Sequence, residues 1–217
     1  MFGGTSGAAR IGVDCGHGID TTCRGEVDVP TAAQPRLNPT ATVEALLFIA
    51  QRLESESRQP DLHNLGHLLY LADRMHLEEY GRTFSGERFH AMEHGPTPSL
   101  TYDALKVLAD RDPHYPPAME FLNALGDAFA HTGGPEYRSV RPPRLEHLSA
   151  SARECLEAVL AMASGWDFSR LRHETHDEAY LLAKARRLNS AMPIEEIART
   201  LRDGESLVEY LRDPVPG

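Results

Sequence analysis

From His67 to Leu100 three kinds of local physics follow one another without a gap, and any fold has to accommodate all three. Leu62, Leu65, Leu69 and Ala72 recur at helical spacing, with Leu68 and Met75 beside them. This pattern predicts a helix that starts at an Asp61 cap and stops at Tyr80-Gly81, where glycine can take the left-handed backbone. Arg82 to Met92 then alternates apolar and charged residues around Gly86, the expected turn of a small antiparallel strand pair. Gly95-Pro96 makes a corner. Thr97 as a cap and Pro98 in the first turn predict another helix, with Leu100, Ala104, Leu105 and Leu108 inside.

The flanks are also helical by period. Asn38-Pro39 is a helix start, and Val43, Leu46, Leu47, Ala50 and Leu53 form the buried stripe after it. Pro116-Pro117 opens a helix expected to carry Phe121, Leu122, Leu125 and Phe129 as far as Gly133-Gly134. Tyr137 to Val140 alternates briefly and is expected to pair with the 82–92 segment. Ser149 caps a helix bearing Leu156, Val159 and Leu160, and Asp167 starts the next helical region, with Leu171, Tyr180 and Leu181. Pro193 begins a short helix expected to end at Gly204, followed by an amphipathic turn around Leu207 and Leu211. The expected fold class is mostly α (α+β): a single helical domain over 38–217 with a small inserted antiparallel β-sheet. Residues 1–37 show no sustained period and are expected to be a poorly ordered N-terminal extension.

Charge and composition remove several function classes. Thirty-two acidic against 22 basic residues give a formal charge of −10, which phosphate backbones repel, so nucleic acid is not an expected partner. Such a surface suits a basic protein. No stretch approaches the roughly 20 apolar residues of a membrane helix, and residues 1–9 lack the basic start and apolar run of a secretory signal. Three cysteines, Cys15, Cys23 and Cys155, are too few and odd in number for a disulfide scaffold and fit a reducing cytoplasm.

Eleven histidines make a metal site the first enzymatic reading to weigh. His63 and His67 lie four apart and His173 and His176 three apart, so each pair shares a helix face. A metal-dependent hydrolase built on these pairs is therefore one alternative. Against it, the zincin order His-Glu-x-x-His and its inverse are both missing: Glu174 follows His173, but His176 comes one residue early. Cys15-Gly16-His17 with Cys23 lacks a fourth zinc ligand. No Gly-x-Ser-x-Gly elbow and no phosphate-loop lysine occur. A DNA-binding regulator is the second alternative, from two short helices around Met192 to Leu211, although the second carries Glu205 and Glu209 where base-reading residues belong. The reading of the residues is thus no enzyme, no cofactor and no metal.

The residues themselves carry a resemblance. Leu68-Leu69-Tyr70-Leu71-Ala72-Asp73, Tyr80-Gly81-Arg82, Gly86 and Gly95-Pro96 resemble the signature of the Panacea domain, the SocA-like antitoxin domain, and the likeness extends over roughly residues 40–190. A second block runs from Leu148-Ser149 to Leu171…Thr175-His176, with Tyr180 where the family usually has tryptophan. Relatives often carry lysines before the Leu-Leu-Tyr run, where this chain has His63 and His67. The resemblance implies an antitoxin of a type II, often phage-associated, toxin–antitoxin system. It would bind its cognate protein toxin directly or hand it to an ATP-dependent protease as an adaptor, without catalysis. Tyr70, Tyr80, Gly81, Gly86, Gly95, Pro96, Thr175 and His176 would then be the motif's structural residues. Because alternation sends one sheet face to solvent, Arg82, Glu87, Arg88, Glu93 and His94 are the expected partner surface.

Overall fold

Helix starts in this chain are set by side chains that take up the first free amides, and three of the expected caps are in place. In the computed structural model, which describes residues 35–114 and 116–213, all in one compact unit, Asn38 Oδ1 accepts the Ala41 N–H at 3.2 Å and opens α1, Pro39–Ser55. Asp61 Oδ1 accepts the His63 and Asn64 amides, both at 2.8 Å, and opens α2, Leu62–Tyr80. Ser149 does the same for Ala152 at α5, Ala150–Met162. Leu46, Leu47, Ile49 and Leu53 of α1 meet Leu65, Leu68, Leu69 and Leu77 of α2, all fully buried. Burying one such side chain is worth about 1.5–3 kcal/mol. α2 also packs along α5, so it is the central element. Every residue before 35, including the Cys15-His17-Cys23 group and nearly all of the expected 1–37 extension, lies outside the described residues.

The β component is small and antiparallel, as expected, but its pairing differs. β1, Phe89–Met92, is the middle strand of three, between β2, Gly95–Pro98, and β5, Ser190–Met192. Phe89 faces Pro98 and Met192, and His90 faces Thr97 and Ala191. The 137–140 segment does not join this sheet. Its strand β4, Glu136–Ser139, pairs with β3, Phe129–Gly133, in a separate hairpin closed by Gly134-Pro135. The helix expected to carry Phe129 is therefore only α4, Met119–Gly126, and Phe129 enters the core from a strand instead.

Thr97 caps nothing, because it lies in β2. α3, Ser99–Leu108, starts behind Pro98 without a side-chain cap of its own. Asp167 and Asp177 cap α6, Phe168–Thr175, and α7, Glu178–Arg186, through the Arg170 and Tyr180 amides. The C-terminal pair is α8, Ile194–Arg199, and α9, Gly204–Arg212, so Gly204 begins a helix where the sequence suggested an end.

The loop 81–88 is drawn in against the segment that leads into α1. Gly86 has φ +68°, and a Cβ there would lie 1.9 Å from the Arg36 carbonyl oxygen. Gly134, at φ +54°, has nothing within 4 Å. Gly134→Ala should therefore cost only the left-handed backbone penalty, about 1–2 kcal/mol. Gly86→Ala should cost clearly more, because residues 36–37 must also move. Denaturant unfolding of both variants checks this, and equal losses would contradict the packing described.

Candidate functional site

Two carboxylates buried without a cation organise the middle of the motif. Asp73, on the inner face of α2, accepts the Phe84 and Ser85 amides through Oδ1 at 3.0 and 3.1 Å and the Ser85 hydroxyl through Oδ2. Ser85 Oγ in turn accepts the Glu87 N–H at 3.0 Å. Glu87 Oε1 accepts the Thr101 amide at 2.7 Å and its hydroxyl at 2.6 Å, while Oε2 accepts the Leu100 amide at 3.3 Å. Glu87 is thus the cap that α3 lacks, supplied from thirteen residues upstream of Leu100. The Ser85 carbonyl accepts the Asn38 N–H at 2.7 Å and the Thr42 hydroxyl at 3.2 Å, which ties the start of α1 to the same loop. Burial pushes the Asp73 carboxyl up to about 6, and burial with the Asp73 charge pushes Glu87 up to about 7. Gly81 ends α2 at φ +68°, and a Cβ there would press 2.8 Å from the Tyr210 ring.

At the other end of the motif the structure gathers aromatic rings. His63 and His67 of α2, His94 of the β1–β2 turn and Phe168 of α6 meet: the His63–His94 centroids are 4.9 Å apart, His63–Phe168 5.7 Å and His67–Phe168 5.9 Å. His67 is buried, its Nδ1 pairs with Thr175 Oγ1 at 2.7 Å, and burial pulls its pKa down to about 3, so the ring is neutral. A Cβ on Gly95 would sit 2.3 Å from His67 Cε1, which explains glycine beside Pro96. His176 stacks on Tyr180 at 4.2 Å, and its Nε2 contacts the His94 carbonyl at 3.2 Å. Tyr180 donates to the Met92 carbonyl at 2.9 Å and so holds the sheet to α7. The buried Tyr70 donates to Asp177 Oδ2 at 2.7 Å, with Arg74 Nε 3.1 Å from the same oxygen. Tyr80 donates to Glu154 at 2.7 Å. Tyr70, Thr175 and His176 thus bind one element to another, while Tyr80 does so from the surface.

The expected partner residues divide. Arg82, Arg88, Glu93 and His94 are exposed, with Arg88 just before β1 and Glu93-His94 just after it. Glu87 is 2% exposed, so its place on a partner surface is corrected: its carboxylate is consumed by α3. The His173/His176 pair separates, with His173 exposed and His176 turned to Tyr180. Among the described residues no three His, Cys, Asp or Glu are grouped to hold a metal ion. In the α8–α9 region Arg202 and Arg212 pair with Glu79 and Glu195, and Arg199 with Glu205, so these cations face carboxylates. Sequence reasoning missed Asp73, Ser85, Thr101, Phe168 and Asp177. A polar Asp73 inside an apolar helical face was the one visible signal, since a buried carboxylate needs donors brought to it.

The Glu87 shift has a sign. A carboxyl raised from its ordinary value to about 7 binds its proton in the folded chain first, so stability falls as pH rises from about 4.5 to 7. Glu87→Gln removes this contribution. The stability difference between the natural chain and Glu87→Gln should therefore shift in favour of the natural chain on acidification across that window, by at most about 1.4 kcal/mol per pH unit. Urea unfolding at a series of pH values checks it, and a difference independent of pH would contradict a buried, raised Glu87.

No curated protein matches the chain, and no solved structure matches it. No helix among the described residues is long and apolar enough to cross a membrane. The sequence model described as "Antitoxin SocA-like, Panacea domain" matches residues 65–180, which runs from the first turn of α2 through Tyr180 and so takes in Asp73, Glu87, the central strand and all of the ring cluster but His63. This match supports an antitoxin-type role and implies a toxin-type partner in general. With more than half its length matched, the chain belongs to the SocA-like antitoxin, Panacea domain family.

Proposed function

We propose that this protein is the antitoxin of a type II toxin–antitoxin system and neutralises its cognate protein toxin by direct, non-catalytic binding through the domain spanning residues 38–217. The observation that carries the reading is the family match over residues 65–180. The way the motif is used supports it. Tyr70 spends its hydroxyl on Asp177, Asp73 its oxygens on Phe84 and Ser85, Glu87 its oxygens on Leu100 and Thr101, and Thr175 its hydroxyl on His67, so these polar groups serve to fix a surface. Handing the toxin to an ATP-dependent protease would begin with the same contact, so binding is the primary act in either route. A reducing cytoplasm suits the buried free Cys155.

The toxin-facing surface in this reading is the exposed charged set around β1: Arg82, Arg88, Glu93 and His94. Cells expressing the toxin alone should stop growing, and co-expression of the natural chain should restore growth. The double reversal Arg88→Glu with Glu93→Arg should leave thermal stability within about half a kcal/mol, as exposed changes do, while abolishing rescue. Full rescue by this folded variant would place the contact elsewhere, and failure of the natural chain to rescue would remove the antitoxin reading itself.

A further inference from the structure

The Glu93-His94 end of the three-stranded sheet is held on α2 by rings and carbonyl contacts. The His94 ring meets His63 at 4.9 Å and Phe168 at 6.3 Å. Arg172 of α6 donates to the Glu93 carbonyl at 3.4 Å, and His176 Nε2 lies 3.2 Å from the His94 carbonyl. Beneath this turn is His67, 3% exposed, where the Gly95 backbone comes so close that no Cβ fits between them. The turn is therefore a cover over a buried imidazole.

His67 is a poor place for a charge. Besides its burial, the charged groups that face it are His63 of its own helix, His176 and Arg172 from the end of α6, and His94 of the turn. All are of one sign when charged, and among the described residues none of them is a carboxylate. Carboxylates stand only beside the outer rings. Burial holds His63 and His176 below the ordinary histidine value, with Arg111 and His94 acting in the same direction at His63, and Arg172 and Lys184 at His176. Asp61 opposes this at His63, and the His94 carbonyl and Asp177 oppose it at His176. Acid therefore makes His176 grip the turn harder, while His67 has no such compensation.

A ring that can take a proton only when water reaches it links opening to pH. Once the turn lifts, His67 titrates as an ordinary histidine, near 6.5. Above that pH opening gains no proton, and below it every further step in acidity favours the lifted state. Asp73 and Glu87 act in the opposite sense, but they hold the 81–88 loop and the start of α3, so a readout local to the turn separates the two effects.

We propose that the Glu93-His94-Gly95 turn is an acid-released latch: it lifts from His67 as that ring takes a proton, and the end of the sheet then leaves α2. Glu93 and His94 belong to the surface assigned above to the toxin, so release would withdraw part of that surface. The latch itself stands whether or not the surface meets a toxin.

Site-resolved hydrogen exchange on the full chain at pH 7 and pH 5, corrected for intrinsic exchange rates, tests this. The Gly95 and Thr97 amides, which face Met92 and His90 across the strand pair, report on the turn. Their protection relative to amides within α1 should fall about twentyfold, the gain in proton binding by an ordinary histidine over that interval. His67→Asn keeps a hydrogen-bonding group beside Thr175 and cannot titrate, so its turn should hold the same relative protection at both pH values. His173→Phe changes an exposed ring outside the cluster and should follow the natural chain. Ring-nitrogen NMR of the natural chain gives a second measurement that needs no variant to fold: His67 should stay neutral at pH 5 wherever the turn is closed. Equal relative protection at both pH values in the natural chain overturns the latch. So does an equal fall in a folded His67→Asn, or a His67 ring that charges near pH 6.5 with the turn still protected.

Discussion

Six donors converge on two buried carboxylates, and the middle of the fold depends on them. Asp73 takes three from Phe84 and Ser85, and Glu87 takes three from Leu100 and Thr101. A carboxylate removed from water is costly unless donors replace its hydration, and here four of the donors are backbone amides that would themselves be orphaned, the other two being the Ser85 and Thr101 hydroxyls. The loop 81–88 has no strand or helix to satisfy its amides, and α3 has no cap of its own. Each need answers the other. The bridge between them is Ser85, which donates to Asp73, accepts from Glu87 and offers its carbonyl to Asn38 and Thr42 at the start of α1. Three helices are therefore registered through one serine.

What this arrangement displays is β1. The loop delivers Phe89 to the core beside Tyr70, at 5.0 Å between rings, and the strand then runs outward-facing between two neighbours to the Glu93-His94 turn. At that turn Gly95 lets His67 approach, and Thr175 fixes the His67 ring. These residues are thus spent on holding a short sheet on α2. β5, which completes the sheet, lies beyond the matched residues 65–180, so the sheet is assembled partly from sequence outside the match.

The sequence was legible where the signal is local. Asn38, Asp61, Ser149 and Asp167 cap helices one to three residues away, and Gly81 adopts the left-handed backbone that its place after Tyr80 demanded. It was illegible where the partner is distant. Three- to five-residue strands carry too little alternation to name their neighbours, so the sequence of Tyr137 to Val140 does not reveal that its strand pairs with Phe129–Gly133, and Ser190–Met192 carries no strand signal of its own. Phe129 fits a helical period equally well from either side of the break at Asp127. Glu87 looked like one member of a charged, solvent-facing set because nothing in its own neighbourhood shows that α3 begins uncapped. The ring cluster was half visible: His63 and His67 share a face by spacing, but Phe168 reaches them only through the path of α6.

The central claim is that buried Asp73 holds the 84–87 loop in its native path. Site-resolved hydrogen exchange on the full chain and its Asp73→Asn variant tests it most directly. The Phe84, Ser85 and Glu87 amides, though in a loop, should be protected in the natural chain and lose protection in the variant, while amides within α1 and α5 keep theirs. Rapid exchange of Phe84 and Ser85 in the natural chain, or unchanged protection in the variant, would contradict it.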